Sequence, residues 1–421
     1  MKYIHTKPLD DAEQNSALAP YIAHCKNVID TNNYSSLEAS LCLSSDGEIF
    51  STVEELVRKK KAPELKYVVV IGIGGSNLGT KAIYDALEGS LDLLRPDKYP
   101  KMFFLDTIDP KANAAFLQFV DAYFKHENEF IISIISKSGT NTEPLVNAEI
   151  LLGQIKKRFS KWRERCVIIT NANSAMWNEG KRIGIDTLEI PIMVGGRYSI
   201  FSPVGLFPLA MANINIQSLL QGAKDMRGLC ITDSPENFAR SSSIFQFLYW
   251  KEGKTIHNSF YFHPELESLG KWYRQLMGES IGKEQKGITP LVSIASVDHH
   301  SMVQLYWGGP SDKTTELVYS KKSHDCFIPA EPLFSLSNTI QGKNTSEIMS
   351  AIQKGTALAY DKQQQPYFEI IFDEITEYEL GGYMQYKMME ILYLANLMQI
   401  NAFDQPQVEL YKIETKKILA N

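Results

Sequence analysis

The chain has 421 residues, of which 44% are hydrophobic and 22% are charged, and its formal net charge is −6. This length predicts two domains, each with ample core, and the composition is typical of a globular protein in water. A net negative charge argues against a whole-chain basic field, so we expect neither a nucleic acid nor an acidic membrane surface as a partner. An anionic ligand must be attracted by local donors.

The cysteines and the N-terminus indicate the compartment. Five cysteines form no close pair, and their odd number argues against a disulfide framework and against a zinc knuckle. The first residues lack the apolar core of a signal peptide, and no run is long enough to span a bilayer. We therefore expect a cytoplasmic protein.

Along the chain, residues 1–60 are polar with helix-like spacing and end in the charged run 58–61, which is typical of a solvated face. Short apolar or β-branched runs then alternate with helix-like segments. The predicted strands are residues 67–73, 102–105, 130–135, 166–170, 255–262, 291–295, 316–320 and 367–372. The predicted helices are residues 81–87, 145–158, 234–250, 345–359, 376–398 and 408–419. No short internal repeat or low-complexity tract interrupts them.

This alternation predicts an α/β fold with two doubly wound parallel sheets, each covered by helices on both faces. Glycines 195 and 196, together with Pro203, mark the boundary between them. We expect an N-terminal helical extension (1–60), a first domain (61–195), a second domain (196–400) and a C-terminal helix (401–421). Ligands of such sheets bind beyond the carboxyl ends of the strands.

The segment 130–144, FIISIISKSGTNTEP, is the most informative part of the chain. A buried strand that ends in hydroxyls, a lysine and a glycine, just before a helix, offers free backbone N–H groups for a dianion. An ordinary helix-capping loop is the alternative, and a single hydroxyl would suffice for it. Several polar side chains favour a phosphate loop, and they are Ser136, Lys137, Ser138, Thr140 and Thr142.

The segment 68–79, VVVIGIGGSNLG, is a second strand that runs into a glycine turn. A dinucleotide-binding fingerprint requires a third glycine where Asn77 stands, and an acidic residue about 20 residues further on. Asp106 lies too far along the chain for that role, so a nicotinamide cofactor is disfavoured. We expect Gly75 and Ser76 to face the same ligand as Ser136.

The two loops together resemble the sugar isomerase (SIS) domain, a doubly wound α/β sandwich that holds phosphosugars in enzymes and in regulators. Four further segments are similar to signatures of the glucose-6-phosphate isomerase family, in the family's order. They are VGGRYSIFSPVG (194–205), LMGESIGK (276–283), DHHSMVQ (298–304) and FDQPQVELYK (403–412). The resemblance covers roughly residues 65–417.

The resemblance implies reversible interconversion of glucose 6-phosphate and fructose 6-phosphate through a cis-enediol. It assigns the base to Glu279, charge stabilisation to Arg197, and ring opening to His300 and Lys412. It assigns substrate binding to Gly75, Ser76, Ser136, Lys137, Ser138, Thr140, Asn141, Gly196, Gln275 and Gln405. It implies no metal or cofactor, and a homodimer with shared active sites in the cleft between the two domains.

Each assignment has an alternative in the residues themselves. Glu279 lies between Gly278 and Gly282 and is predicted to be a loop residue, which could be merely solvated. Arg197 could form a structural salt bridge, and Lys412 lies near two other lysines on a predicted exposed helix face. The rival for the whole chain is a non-catalytic phosphosugar sensor, which would have no reason to retain Glu279, and a nicotinamide oxidoreductase is a third interpretation.

Two positions depart from the family pattern. Asn141 stands where a threonine usually contacts phosphate, so the phosphate loop is one hydroxyl short. Gln407 replaces a glycine of the C-terminal signature. Neither change removes a group that must transfer a proton.

Overall fold

The computed structural model describes residues 1–5, 11–331, 333–334 and 338–419, whose strands form two five-stranded sheets. The strands are β1 (Lys2–His5), β2 (Tyr67–Ile71), β3 (Lys101–Leu105), β4 (Phe130–Ile135), β5 (Cys166–Thr170), β6 (Asp186–Glu189), β7 (Ile256–Tyr261), β8 (Thr289–Ile294), β9 (Lys313–Ser320) and β10 (Tyr367–Phe372).

The helices of the first half are α1 (Ala12–Asp30), α2 (Gly47–Lys60), α3 (Leu78–Leu87), α4 (Pro110–Tyr123), α5 (Thr142–Arg158), α6 (Ala175–Ile183) and α7 (Pro203–Met211). Those of the second half are α8 (Ile216–Cys230), α9 (Phe238–Lys251), α10 (Glu267–Ile281), α11 (Val297–Ser301), α12 (Val303–Gly308), α13 (Thr345–Lys362), α14 (Glu377–Met398) and α15 (Val408–Leu419).

The first sheet has the order β3-β2-β4-β5-β6, and all of its pairings are parallel. Successive side chains of a strand point to opposite faces, so alternate residues of β2 enter different cores. Val68 and Val70 join one core, whereas Val69 and Ile71 join the other. Both faces are therefore covered, as the continuous apolar runs predict for a doubly wound sheet.

The second sheet has the order β1-β10-β9-β7-β8. Strands β7 to β10 pair in parallel and repeat the arrangement of β2 to β5, while β1 pairs antiparallel with β10 at the sheet edge. The prediction of a helical N-terminal extension is wrong for Lys2–His5, which form this edge strand. It is confirmed for α1 and α2.

The remaining predicted elements are confirmed, with ends that shift by a few residues. The strand β6 and several helices of the described chain were not predicted. They are α4, α6, α7, α8, α10, α11 and α12. The fold class is nevertheless the predicted one, because the strand order and the direction of pairing make both sheets doubly wound.

One hydrophobic core connects the inner faces of the two sheets. It includes Val68 of the first sheet, Val318 and Phe368 of the second, and most of α14. Residues 380–395 of α14 are all buried. The two α/β units therefore pack through a shared core, and the domain limits 61–195 and 196–400 stay a prediction. Among the described residues, no helix combines the length and apolarity needed to cross a membrane.

Candidate active site

The predicted phosphate loop lies where β4 ends and α5 begins. Ser136 is fully buried, and the Ser138 Oγ lies 2.9 Å from the Thr140 Oγ1. Gly139 has φ of +70°, and a Cβ there would lie 2.6 Å from the Cβ of Met176, so the loop closes tightly at this residue. Asn141 is the N-cap of α5 but makes no side-chain cap hydrogen bond. The first-turn N–H groups of the helix thus stay available to an anion.

The second predicted loop follows β2, the neighbour of β4 in the sheet, and packs against the Gly195–Gly196 turn. A Cβ on Gly75 would lie 2.1 Å from the Gly196 carbonyl carbon, so only a glycine permits this approach. A Cβ on Gly74 would lie 2.8 Å from the Gln275 Nε2. Three segments distant in the sequence meet here, which brings together the predicted residues Gly75, Gly196 and Gln275.

Arg197 lies at the centre of the site and is only 2% exposed. Its Nη1 donates to the Glu279 Oε2 at 3.2 Å and to the Gln405 Oε1 at 2.7 Å. Its Nη2 donates to the carbonyl oxygens of Ala402 at 2.6 Å and Asp404 at 3.2 Å. The structural salt bridge is therefore present, and the carboxylate that Arg197 pairs with is the predicted base.

The prediction of Glu279 as a loop residue is wrong, since it lies in the last turn of α10. The buried side chains Trp272, Leu276 and Met277 hold this helix against the protein interior. Gly278 is tolerated inside the helix, and the helix ends at Gly282. The Gln275 Nε2, one turn earlier, donates to the Glu279 Oε1 at 2.9 Å. Each carboxylate oxygen of Glu279 thus accepts one hydrogen bond.

Three buried polar atoms beside these loops lack a hydrogen-bond partner among the described residues. They are the Asn77 Oδ1, the Ser136 Oγ and the Gln275 Oε1. Buried polar atoms are satisfied in most folded proteins, so unsatisfied ones around a loop cluster indicate a polar ligand. Burial, and then the positive charge of Arg197, lower the pKa of Lys137. The positive charge of Arg197 therefore acts on the lysine of the predicted phosphate loop.

Gln405 and Lys412 belong to a C-terminal segment that is anchored over the site. Lys283 forms an ion pair with Asp404 at 2.7 Å, and Arg197 binds the backbone of this segment. The helix α15 begins three residues after Gln405, and its Lys412 pairs with Glu409 of the same helix at 2.8 Å. The structure brings Gln405 into contact with Arg197, whereas within the described part of the chain no hydrogen bond or ion pair joins Lys412 to another predicted site residue.

His300 lies on the short helix α11 beyond the carboxyl end of β8, and its side chain is exposed. The crossover helix α10 runs from the carboxyl edge of the second sheet back to its amino edge, because β7 and β8 are parallel. Glu279 therefore lies at the amino edge of the second sheet, so the expectation that ligand-binding residues lie beyond the carboxyl ends of the strands is wrong for this residue. The structure does not bring His300 and Glu279 of one chain together.

Two residues that contact the candidate site, Ser280 and Tyr198, were missed from the sequence. The Ser280 Oγ accepts a hydrogen bond from the Arg197 Nε at 2.9 Å and lies 2.8 Å from the Tyr198 Oη. Both residues lie inside the segments that carry the resemblance, next to Glu279 and Arg197, and that adjacency was the available signal. Within the described ranges, no group of three or more His, Cys, Asp or Glu side chains is arranged to hold a metal ion.

A family model of phosphoglucose isomerase matches residues 57–421 of this chain. A glucose-6-phosphate isomerase of Methanocaldococcus jannaschii is 36% identical over 367 residues, which covers 87% of this chain and 86% of that protein. A glucose-6-phosphate isomerase of Carboxydothermus hydrogenoformans is 32% identical over 392 residues, covering 88% and 82%.

Solved structures show the same architecture. The crystal structure of a hypothetical protein from Thermus thermophilus superposes with a TM-score of 0.88 at 28% identity over the whole of both chains. The crystal structure of a glucose-6-phosphate isomerase from Chlamydia trachomatis superposes with a TM-score of 0.74 at 22% identity, covering 91% of this chain and 75% of that one. The second likeness concerns the fold alone.

Proposed function

The chain belongs to the phosphoglucose isomerase family, and from this premise we propose that the described site interconverts glucose 6-phosphate and fructose 6-phosphate. One observation carries the proposal. The Glu279 carboxylate is held by Gln275 and Arg197 beside the Gly75 loop, and that loop follows β2, the neighbour of the strand β4 that leads into the phosphate loop. A base, a cation and a dianion site therefore lie together.

Glu279 transfers the proton between the two carbons. Its carboxylate takes the proton from C2 of the open-chain aldose. The C–H electron pair forms the C1–C2 double bond while the carbonyl π pair moves to O1, and protonation of O1 gives the cis-enediol. Returning the proton to C1, with loss of the O2 hydroxyl proton, gives the ketose. An ionised carboxylate has about four lone-pair sites, and the hydrogen bonds from Gln275 and Arg197 occupy two, so acceptor capacity remains.

Arg197 and the phosphate loop supply charge stabilisation and orientation. The guanidinium beside Glu279 stabilises the negative charge that develops on the enediolate oxygens. Ser136, Lys137, Ser138 and Thr140, with Ser76 and the N-terminus of α5, hold the remote phosphate. Their binding energy orients C1 and C2 toward Glu279. Asn141, Gly196, Gln275 and Gln405 complete the proposed substrate contacts.

Ring opening requires a further acid–base pair, for which we propose Lys412 and a His300 from the second subunit of a homodimer. The geometry of a single chain supports this. Gly270 of α10 lies level with Val292 of β8, since a Cβ on Gly270 would lie 2.6 Å from the Val292 Cγ1. Glu279 lies about 14 Å further toward the amino edge, and His300 lies beyond the carboxyl edge, so roughly 20 Å separate them.

We further propose that the enzyme works in the cytoplasm, in glycolysis and gluconeogenesis. The reversibility of an aldose–ketose isomerisation suits both directions of hexose metabolism. Four of the five cysteines are buried and none is paired in the described chain, which suits a reducing compartment.

The test is fructose 6-phosphate with the protein in heavy water, followed by NMR. We expect glucose 6-phosphate with deuterium at C2, because the proton on Glu279 exchanges with solvent. The absence of turnover would favour the phosphosugar sensor, and turnover that requires an added nicotinamide would favour the oxidoreductase.

A further inference from the structure

Arg197 uses every N–H group that it has. A guanidinium carries five N–H donors in a fixed planar arrangement. The Nη1 and Nη2 groups supply four hydrogen bonds, to Glu279, Gln405 and the carbonyl oxygens of Ala402 and Asp404. The fifth donor, Nε, binds the hydroxyl of Ser280. Of these five partners, only Glu279 is assigned to proton transfer, so the other four determine how Arg197 faces it.

Of these four partners, only Ser280 lies in the same helix turn as the proposed base, Glu279. It follows Glu279 directly in α10, so consecutive residues hold two parts of the same guanidinium. Both bonds come from one rigid element, whereas the 402–405 backbone is an irregular segment. A change in the Ser280 contact would therefore rotate Arg197 relative to Glu279 more directly than a change in that segment.

The Ser280 hydroxyl is itself held in place. The residue is fully buried, and its Oγ lies 2.8 Å from the Tyr198 Oη, which also approaches the Ala402 carbonyl oxygen at 3.4 Å. The Tyr198 ring packs against Phe403 at 5.7 Å between centroids. The serine oxygen is thus the junction between Arg197, Tyr198 and the segment that carries Gln405.

A buried helical serine more often donates to a carbonyl oxygen of its own helix, three or four residues back. Ser243 of α9 does so, with its Oγ 2.9 Å from the Arg240 carbonyl oxygen. Among the described residues, the hydrogen bonds of the Ser280 hydroxyl lead to Arg197 and Tyr198 instead. The contrast shows that Ser280 contributes to the site and not to its own helix.

We propose that Ser280 is a positioning residue, whose hydroxyl orients the Arg197 guanidinium so that Nη1 faces Glu279. This inference rests on the proposed roles of Arg197 and Glu279. It predicts that Ser280 affects the step in which charge develops on the enediolate, and hence kcat more than KM.

The test is a double-mutant cycle with fructose 6-phosphate. Ser280→Ala should lower kcat about tenfold, since small misplacements of a charged group are costly, while KM stays within about twofold. Arg197→Lys keeps a positive charge but removes the Nε donor that binds Ser280. In that background Ser280→Ala should cost nothing further. The control Ser243→Ala removes an equally buried helical hydroxyl and should leave kcat at the wild-type value.

Wild-type kcat in Ser280→Ala would overturn the inference, and so would an equal fold-loss in both Arg197 backgrounds. If Ser280→Ala does not fold, Tyr198→Phe tests the same junction. It should lower kcat about threefold, again only when Arg197 is present, and an unchanged kcat would count against the proposal. The absence of turnover in the wild-type protein would instead overturn the proposed function itself, so the two failures are distinguishable.

Discussion

Glu279 is held at both carboxylate oxygens while 27% of its side chain stays exposed. Hydrogen bonds from Gln275 and Arg197 restrict its rotamers, and the exposed part leaves room for a sugar carbon. A proton-transferring carboxylate needs both properties, since it must be oriented and must still reach the substrate. The end of a helix provides this combination better than a free loop.

We expect Glu279→Gln to lower turnover at least about a hundredfold, which is the usual scale for loss of a general base. The amide preserves the shape but accepts no proton from carbon, so the dissociation constant of fructose 6-phosphate should stay similar. Glu284→Gln is the matched control, because Glu284 is an exposed glutamate five residues further on. Steady-state kinetics measure both, and near-normal turnover of Glu279→Gln would remove it from the mechanism.

We expect phosphosugar binding to weaken at alkaline pH, because Lys137 loses its charge there. Its pKa lies below the ordinary lysine value, because burial disfavours the ammonium and Arg197 adds a like charge. The phosphate dianion binds the charged form. As pH rises through the lowered pKa, the ammonium is lost and KM should rise, at a lower pH than an ordinary lysine would give.

Lys137→Met should raise KM at neutral pH and remove this alkaline dependence, because no titrating ammonium remains at the phosphate. The control Lys111→Met changes an exposed lysine of α4 and should keep the wild-type profile. KM measured between pH 7 and about 10 tests this. A variant at Lys137 with an unchanged alkaline rise would assign the dependence to another group.

For single residues, the sequence predicted which side chains come together but not the hydrogen bonds that hold them in place. Arg197 contacts Glu279 and Gln405, and Gln275 contacts Glu279, as the motif register predicted, while their roles stay predictions. The motif register could not predict the bonds from Arg197 to Ser280 or to the Ala402 carbonyl oxygen. Those contacts depend on how α10 and the 401–405 segment pack, and backbone carbonyl groups carry no residue signature.

Among the elements, α14 is unusual because it buries charge at the centre of the second unit. Lys387 donates to Glu316 of β9 and to Glu390 of its own helix, and all three side chains are fully buried. Tyr273 and Tyr386 donate to Glu390 at 2.6 and 2.9 Å. Burial alone would raise the pKa of Glu316, but Lys387 and His257 hold it well below its usual range.

Lys387→Met should lower the free energy of unfolding by about 3–5 kcal/mol, since removing one partner of a buried pair leaves uncompensated charge. Two carboxylates would then lie in the core without a cation. Lys354→Met on the exposed face of α13 is the control, with an expected change within about 0.5 kcal/mol. Urea unfolding measures both. Equal stabilities of the two variants would show that the buried cation contributes nothing net.

The elements that were not predicted from the sequence were missed for physical reasons. The strands β1 and β6 have four residues each and lie at sheet edges, where polar side chains break the apolar pattern. The helix α10 was not predicted, and its last turn was taken for a loop because Gly278 and Gly282 lie there. Tertiary packing of Trp272 and Met277 overrides that local preference. The central strands were predicted because burial on both faces makes them continuously apolar.

In the whole molecule, the candidate site lies where the two α/β units meet, and the two sheets contribute opposite edges to it. It lies at the carboxyl edge of the first sheet, where the predicted phosphate loops follow β2 and β4, and at the amino edge of the second, where α10 ends. The hydrophobic core shared by both units keeps these edges in register. The carboxyl edge of the second sheet, with His300, faces away from the Glu279 of its own chain.

This arrangement leads to the proposed homodimer, in which His300 of each subunit completes the pocket around Glu279 of the other. A two-fold axis makes the two pockets equivalent, so each needs one residue from each chain. Glu279→Gln and His300→Ala should each be nearly inactive alone. Mixing the two variants within one dimer then tests whether a pocket draws on both subunits.

When the two variants are unfolded together and refolded, random pairing makes about half of the dimers mixed. In a mixed dimer one pocket contains both altered residues and the other contains neither, so roughly a quarter of all sites should recover activity. Each variant refolded alone is the control and should stay inactive. If His300 served the pocket of its own subunit, every pocket would keep one altered residue, and mixing would restore no turnover. A recovery near a quarter, measured as kcat per subunit, therefore requires that the active site be built from two chains.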